Sequence, residues 1–312
     1  MNKLLILSEN AEEYAQLLRS RELPELEIAV ASAPDQAALS VDEAQIILGK
    51  PGWVAPLLES ARQLQWVQSI YAGVEPFCEP GLRRDYLLTG VKEVFGPHMS
   101  EYVFAYILAL ERNLFALREN QREKLWEGIP YRGLAGLTIG ICGLGSIGRQ
   151  IAETSHHFKM RVLGLSRSAA ATPYVEKVFK PSEICELAGQ VDYLVVVLPK
   201  TKETEGIIDE RVIRVLGRSA VLINVGRGAS IDEPALVKAL ENEQIRAAVL
   251  DVFNAEPLPK ESPLWRLENA YVTPHNSAVS FPKDIVDIFC ENYQRFRSDQ
   301  TLKFVIQFDR GF

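Results

Sequence analysis

The sequence predicts an α/β protein with parallel sheets, because short apolar runs alternate with helical segments along most of its 312 residues. The apolar runs are continuous, which is typical of parallel strands that are covered on both faces. The segments between them carry apolar residues at helical spacing, and strands that alternate with helices form parallel sheets through right-handed crossovers. A chain of this length can form two domains, each with its own core.

The predicted elements follow one another in a regular order. Nine apolar runs predict strands, at 3–7, 44–48, 66–70, 137–142, 161–165, 193–198, 220–224, 247–252 and 271–273. Four intervening segments predict helices, at 12–20, 148–158, 209–216 and 233–242. A longer helix over 100–126 interrupts the order, and its apolar first half indicates burial. A helix at about 282–297 and a strand-like run at 303–308 end the chain.

The last helix and strand are expected to return to the first domain, because two elements are too few to form a domain of their own. The predicted first domain is therefore discontinuous, with residues 1–97 and 283–312. The second domain covers residues 98–282, and a cleft is expected between the two.

Composition excludes several classes of protein. Apolar residues make up 47% of the chain and the net charge is −7, so binding to nucleic acid or to an anionic membrane surface is disfavoured. No apolar segment is long enough to span a membrane, and the N-terminal apolar run is too short for a signal peptide. The four cysteines are scattered, which indicates reduced thiols in a cytoplasmic protein and neither a disulfide framework nor a metal site.

A glycine motif, "GLGSIG" at 143–148, follows a predicted strand and begins a helix. Gly143 permits a tight turn, Gly145 lets the backbone approach a pyrophosphate, and Gly148 lets the helix pack against the strand. Ser146 and Ile147, between these glycines, are expected beside the cofactor as well. The strand–turn–helix context predicts a Rossmann-like dinucleotide-binding domain.

The strand after this motif ends in Ser166, Arg167 and Ser168, where an NAD-binding protein would carry an acid. An acid accepts hydrogen bonds from the ribose hydroxyls, whereas a guanidinium pairs with a 2′-phosphate. We therefore expect NADP(H) to be preferred, with NAD(H) possible. The alternative interpretation is that Arg167 is a solvated surface residue.

Chemically capable side chains follow three later strands. Arg227 lies between two glycines, Asp251 and Glu256 follow the next predicted strand, and His275 follows the one beyond. The carboxyl ends of parallel strands are where open α/β sheets bind ligands. Each residue also has a structural interpretation: a surface arginine, solvated acids or a structural histidine.

Five motifs in order, "GLGSIG", "LPKTKETEGIID", "NVGRG", "DVFNAEPLP" and "TPHNS", resemble the D-isomer-specific 2-hydroxyacid dehydrogenase family over essentially the full length. The resemblance is strongest to the glyoxylate/hydroxypyruvate reductase branch. It implies two parallel-sheet domains of the Rossmann-like or flavodoxin-like type. The domain that comes first in the sequence would bind the substrate. It also implies a homodimer that reduces a small 2-keto acid to a D-2-hydroxy acid with NADPH.

The same resemblance implies a catalytic set. Arg227 would bind the substrate carboxylate and polarise the neighbouring carbonyl. His275 would donate a proton to the carbonyl oxygen, because an imidazole titrates near neutral pH. Glu256 would favour the imidazolium form and orient the ring. Asp251 would hold the carboxamide of the nicotinamide.

Further contacts follow by position in the motifs. The backbone N–H groups of Ala72, Gly73 and Val74 would grip the substrate carboxylate. Side chains expected in the substrate pocket are Tyr71, Trp53 and Met99, and further residues expected at the cofactor are Pro199, Thr204 and Val225. Trp126 could reach the active site of the partner subunit.

Two other hypotheses stay open at this point. One is an NAD-dependent D-2-hydroxyacid dehydrogenase for a bulkier substrate, against which Arg167 argues. The other is a non-enzymatic, NAD(P)-sensing protein that resembles corepressors related to this family. The complete set of Arg227, Glu256 and His275 weakens this second hypothesis.

Overall fold

The computed structural model describes residues 1–168 and 170–309, and the chain divides into two compact units. The first unit comprises residues 1–94 and 280–312, and the second comprises residues 95–279. The predicted first domain runs to residue 312, and residues 310–312 lie outside the described part of the chain.

The first unit contains a five-stranded parallel sheet. Its strands are β1 (Asn2–Leu7), β2 (Leu26–Ala31), β3 (Ile46–Gly49), β4 (Trp66–Ser69) and β5 (Leu87–Thr89). They pair in parallel in the order β2-β1-β3-β4-β5, which is the flavodoxin-like order. The helices that follow β1, β2 and β3 are α1 (Ala11–Arg19), α2 (Pro34–Ala37) and α3 (Pro51–Val54).

The second unit contains a seven-stranded parallel sheet. Its strands are β6 (Thr138–Cys142), β7 (Arg161–Leu165), β8 (Lys177–Phe179), β9 (Tyr193–Val196), β10 (Val221–Asn224), β11 (Ala247–Leu250) and β12 (Ala270–Val272). Their order is β12-β11-β10-β9-β6-β7-β8, so the direction of winding reverses between β6 and β9. This is the Rossmann order with a seventh strand, and the crevice at such a reversal is where dinucleotides bind.

Helices cover both faces of the second sheet. They are α4 (Phe95–Glu111), α6 (Ser146–His157), α7 (Ile184–Ala188), α8 (Glu210–Val215) and α9 (Glu233–Glu241). Helix α5 (Leu114–Arg122) follows α4 and has no buried residue. Alternate residues of a strand enter different apolar clusters: Leu194 and Val196 belong to one, Tyr193 and Val195 to the other. Two buried faces explain why the strand sequences are continuously apolar.

The chain then returns to the first unit as α10 (Pro282–Arg297). Phe289 of this helix stacks on Trp66 of β4 with ring centroids 5.0 Å apart. Asn292 is fully buried, donates to Gln68 Oε1 and accepts from the backbone N–H of Lys303. Apolar stacking and a satisfied buried amide thus attach the C-terminal helix to the sheet.

The predicted α/β fold class with two parallel sheets is confirmed, while three details were wrong. The strands β2, β5 and β8 were not predicted, since β2 is only half-buried and the other two have three residues each. The helix expected over 100–126 is two helices, separated at Asn113, whose φ is +52°. The run 303–308 is not a strand and contributes one antiparallel bridge, between Val305 and Thr89.

Over the described ranges, none of the helices combines the length and the apolar character needed to cross a membrane.

Candidate active site

The turn between β6 and α6 is shaped by its glycines. Gly143 has a φ of +106°, and a Cβ there would lie 2.6 Å from the carbonyl oxygen of Val197. A Cβ on Gly148 would lie 1.9 Å from the oxygen of Gly143, so α6 packs directly on the turn. Only glycine is compatible with these two positions.

Gly145 differs, because no described heavy atom outside Gly145 and its two chain neighbours lies within 4 Å of the position its Cβ would take. It is the N-cap of α6, and no side chain caps the helix there. Ser146 and Ile147 form the first turn and are half-buried. Open space over a glycine, beside the N–H groups that begin a helix, fits the pyrophosphate of a dinucleotide.

The end of β7 presents the three residues expected at the adenosine ribose. Ser166 donates its backbone N–H to Phe179, and its hydroxyl lies 3.3 Å from that of Ser168. Arg167 and Ser168 are exposed. The pKa of the Glu203 carboxyl is lowered by hydrogen bonds from its own backbone and from Thr201, with smaller contributions from Arg167 and Lys202. The positive charge of Arg167 therefore interacts electrostatically with Glu203, in the loop that follows β9.

That loop begins at Pro199 and is closed by Thr204. The Thr204 hydroxyl donates to the Pro199 carbonyl at 2.6 Å and accepts from the backbone N–H of Thr201. Val225, at the end of β10, is buried and donates its N–H to Val196 of β9. These predicted cofactor residues follow strands beside the point where the sheet order reverses, and Thr204 has a structural part in shaping its loop.

Arg227 is positioned by its backbone neighbours. The Asn224 side chain donates to the Arg227 carbonyl at 3.0 Å and accepts from the N–H of Gly226. A Cβ on Gly228 would lie 2.0 Å from the carbonyl carbon of Phe253. The loop that carries Arg227 therefore packs directly against the segment that leads to Glu256.

Glu256 and His275 form a hydrogen-bonded pair. Nδ1 of His275 lies 2.8 Å from Oε2 of Glu256, and Oε1 of Glu256 accepts the backbone N–H of Phe253. The His275 side chain is 52% exposed, and its φ of +53° is in the left-handed region. Because Nδ1 faces the carboxylate, Nε2 is the nitrogen that can exchange a proton with a ligand.

Asp251 is fully buried at the end of β11. Its Oδ1 accepts the Thr273 hydroxyl at 2.6 Å and the N–H of Asn276 at 2.9 Å, and its Oδ2 accepts the N–H of Ser277 at 2.9 Å. Both carboxylate oxygens thus organise the loop that carries His275. A contact of Asp251 with the nicotinamide stays a prediction.

The predicted carboxylate-binding loop lies in the first unit. Ser69, at the end of β4, accepts the N–H of Tyr71 at 3.0 Å and begins the turn through Ala72 and Gly73. Tyr71 and Ala72 are exposed, whereas the Val74 side chain packs in the core.

The remaining predicted pocket residues lie in different surroundings. Trp53 is half-buried under the Lys50 ammonium, 4.9 Å from the ring centroid. Met99 lies in α4 and packs in the core of the second unit. Trp126 lies beyond the end of α5 and is fully exposed.

Two residues of the site were not singled out from the sequence. Thr273 donates its hydroxyl hydrogen to the buried Asp251. The threonine in the motif "TPHNS" could have indicated such a hydrogen bond. Tyr102, whose hydroxyl lies 2.6 Å from that of Thr273, comes from α4 and left no signal in the strand motifs. Within the described residues, no three His, Cys, Asp or Glu side chains cluster so as to hold a metal ion.

Comparison with known proteins decides the family. Residues 104–277 match the family model described as D-isomer specific 2-hydroxyacid dehydrogenase, NAD binding domain. The chain belongs to the D-isomer specific 2-hydroxyacid dehydrogenase family. The predicted family is thus confirmed, and as a member the chain is an NAD(P)-dependent oxidoreductase, as expected.

Individual relatives agree with this family. The chain is 30% identical over 268 residues to glyoxylate/hydroxypyruvate reductase A of Citrobacter koseri, covering 83% of this chain and 86% of that protein. A family member from Aeromonas salmonicida has a similar structure, with 44% identity, a TM-score of 0.96 and 99% of both chains covered. The NADPH-dependent glyoxylate/hydroxypyruvate reductase of Sinorhizobium meliloti, in complex with NADP and sulfate, is 26% identical with a TM-score of 0.90 over 100% of both chains.

Proposed function

We propose that this dehydrogenase reduces a small 2-keto acid of the glyoxylate or hydroxypyruvate type to the D-2-hydroxy acid, with NADPH as reductant. The observation that carries the proposal is the 2.8 Å contact between Glu256 and His275, beside the loop of Arg227. The reductase names of two relatives support the substrate class.

The proposed mechanism assigns one task to each side chain. NADPH, when bound, would supply the hydride for reduction at the C2 carbon of the keto acid. Arg227 binds the substrate carboxylate and stabilises the negative charge that develops on the C2 oxygen. His275 donates its Nε2 proton to that oxygen, while Glu256 holds Nδ1 and orients the ring. His275 then regains a proton from solvent, to which its side chain is open.

NADP(H) is the preferred cofactor in this proposal. Arg167 would pair with the 2′-phosphate, and the hydroxyls of Ser166 and Ser168 would donate to it. The Sinorhizobium meliloti relative is described in complex with NADP, and a Xanthobacter autotrophicus relative, 27% identical, in complex with NADPH. NAD(H) is expected to serve less well, because it lacks the group that Arg167 would bind.

We assign dinucleotide binding to the second unit and substrate binding to the first. Backbone N–H groups of Ala72, Gly73 and Val74 would bind the substrate carboxylate, with Tyr71 and Trp53 limiting the size of the substrate. Met99 completes the predicted pocket, although its side chain also packs in a core. We further propose a cytoplasmic homodimer, which sedimentation at micromolar concentration would reveal and a monomer would contradict.

A steady-state panel tests the proposal. Glyoxylate, hydroxypyruvate, pyruvate and a branched 2-keto acid are each measured with NADPH and with NADH, and product configuration is determined by chiral chromatography. The expected result is the highest kcat/KM for glyoxylate or hydroxypyruvate with NADPH. Preference for NADH and the branched acid would favour the dehydrogenase of bulkier substrates. Cofactor binding without turnover of any substrate would favour a nucleotide sensor.

A further inference from the structure

We propose that Tyr102 and Thr273 are positioning residues for His275, acting through a line of hydrogen bonds that ends on the buried Asp251. The line runs from α4 to the end of β11 and fixes the loop that carries the proton donor. This inference rests on the proposed function only for its effect on catalysis.

The direction of the hydrogen bonds follows from the groups present. The Thr273 hydroxyl donates its one proton to Oδ1 of Asp251 at 2.6 Å, so its oxygen can only accept from other groups. The Tyr102 hydroxyl, 2.6 Å from Thr273 Oγ1, must then donate to that oxygen. Burial raises the pKa of Tyr102, so the phenol keeps this proton at neutral pH.

Asp251 passes this constraint to the backbone around His275. Its carboxylate accepts the N–H groups of Asn276 and Ser277, the two residues after His275. Its backbone carbonyl accepts the N–H of His275 itself at 2.9 Å. A carboxylate with a fixed rotamer therefore holds the loop on both sides of the imidazole.

The loop needs such support because His275 is strained. Its φ of +53° is in the left-handed region, which costs a non-glycine residue about 1 kcal/mol or more. Strained residues persist where surrounding bonds hold them. If the Asp251 carboxylate rotates, the loop can relax and Nδ1 can leave Glu256, which misaligns the proton donor.

Four variants test the inference. Tyr102→Phe and Thr273→Val remove one hydroxyl each, and Thr273→Ser keeps the hydroxyl and loses a methyl group. Tyr271→Phe is the matched control. Tyr271 lies on β12, two residues before Thr273, and its hydroxyl is not part of this line of hydrogen bonds. Amide hydrogen exchange of residues 273–277, apart from Pro274, which has no amide hydrogen, is measured in every variant, together with kcat, KM and the solvent deuterium isotope effect on kcat.

Faster exchange at residues 273–277 is expected in Tyr102→Phe and Thr273→Val, with wild-type exchange in Thr273→Ser and Tyr271→Phe. A misplacement of about 1 Å can cost two orders of magnitude in rate, so kcat should fall about ten- to hundredfold while KM changes little. The solvent isotope effect should rise, because proton transfer becomes slower. A loss of folded protein would lower kcat and leave the isotope effect unchanged.

Exchange that is unchanged in both hydroxyl-deletion variants would overturn the inference, whatever the activity. Equal effects in Thr273→Val and Thr273→Ser would also overturn it, because the hydroxyl would then not matter. An inactive wild-type protein with the expected exchange pattern would contradict the proposed function and leave the positioning of the loop supported.

Discussion

Arg227 lies between two glycines. Because they lack side chains, the backbone on both sides of Arg227 can approach other chain segments closely. Gly226 packs on Leu198 and Gly228 on Phe253, so the backbone on both sides of Arg227 is fixed by close packing. A lysine would keep the charge and lose the planar fork that matches a carboxylate.

Arg227→Lys is therefore expected to lower kcat/KM for glyoxylate by about two orders of magnitude, as loss of a transition-state donor does. Most of the effect should be on KM for the keto acid, with the dissociation constant for NADPH unchanged. Arg218→Lys, a surface change in the same unit, is the control. Equal kinetics of Arg227→Lys and wild type would remove Arg227 from substrate binding.

Arg167 tests the cofactor preference in the same way. A hydrogen bond to a charged group is worth roughly 1.5–3 kcal/mol, so Arg167→Ser should raise KM for NADPH about ten- to hundredfold. KM for NADH should change little, because NADH lacks the 2′-phosphate. Arg161→Ser, at the other end of β7, provides the control. A parallel rise for both cofactors would indicate a structural role for Arg167.

Sequence reasoning could find the residues that follow strands, because parallel strands bring their carboxyl ends to one edge of a sheet. Arg227, Asp251 and His275 were predicted as site residues in this way. It could not find Tyr102, since a hydrogen bond between α4 and the end of β12 depends on how a helix packs on a sheet. It also could not show that the Asp251 carboxylate accepts three hydrogen bonds from the loop that carries His275.

Among the secondary-structure elements, the turn between β6 and α6 contains glycines with two different roles. Gly148 is required for packing, whereas Gly145 borders the open space expected for the ligand. Gly148→Ala places a methyl group against the Gly143 carbonyl and should destabilise the fold by about 1–3 kcal/mol, as overpacking does. Gly145→Ala meets no neighbouring atom and should keep the wild-type unfolding midpoint. It should raise KM for NADPH, because the methyl group would occupy the space of the pyrophosphate.

Thermal unfolding and NADPH titration of both variants check this prediction. A stable Gly148→Ala protein would contradict the observed packing of α6. Unchanged NADPH affinity in Gly145→Ala would contradict the pyrophosphate site.

The elements that sequence patterns missed are those with weak burial. Strand β2 has a half-buried pattern that Glu27 interrupts, so it lacked the continuous apolar run of its neighbours. The break between α4 and α5 falls at Asn113, in the left-handed conformation, without a proline or glycine to mark it. Asparagine tolerates that conformation, but its presence alone does not predict a helix end.

At the scale of the whole molecule, a buried carboxylate joins distant parts of the second unit. Glu111, at the end of α4, is 2% exposed and accepts from Arg132 at 2.6 Å, from Arg246 and from Tyr193. Burial opposes ionisation of Glu111, but the hydrogen bonds from Arg132, Tyr193 and Arg246 outweigh it and lower the pKa of the carboxyl. A lowered pKa in the folded state means that ionised Glu111 stabilises the fold.

That stabilisation is fully present above the ordinary carboxyl pKa of 4.5 and is lost as the pH falls through the lower value in the folded state. Glu111→Gln removes the carboxylate from Arg246 and leaves Arg132 with Asp192 alone, and it should lower the free energy of unfolding at pH 7 by about 3–5 kcal/mol. The difference between variant and wild type should shrink on acidification. Urea unfolding from pH 7 to pH 3 measures both effects.

Glu119→Gln, which breaks an exposed ion pair with Arg122, is the control and should change stability by less than about 1 kcal/mol. If Glu111→Gln behaves like this control, the buried cluster does not stabilise the second unit.

We propose that His275, held by Glu256, donates the proton when a 2-keto acid is reduced. The most direct measurement is the rate of NADPH oxidation by glyoxylate in wild type and in His275→Ala, with NADPH binding measured separately by fluorescence. General acid catalysis contributes about 10²–10⁴-fold, so turnover should fall by at least that range while the dissociation constant for NADPH is retained. Turnover at the wild-type rate in His275→Ala would contradict the assignment of His275 as the proton donor.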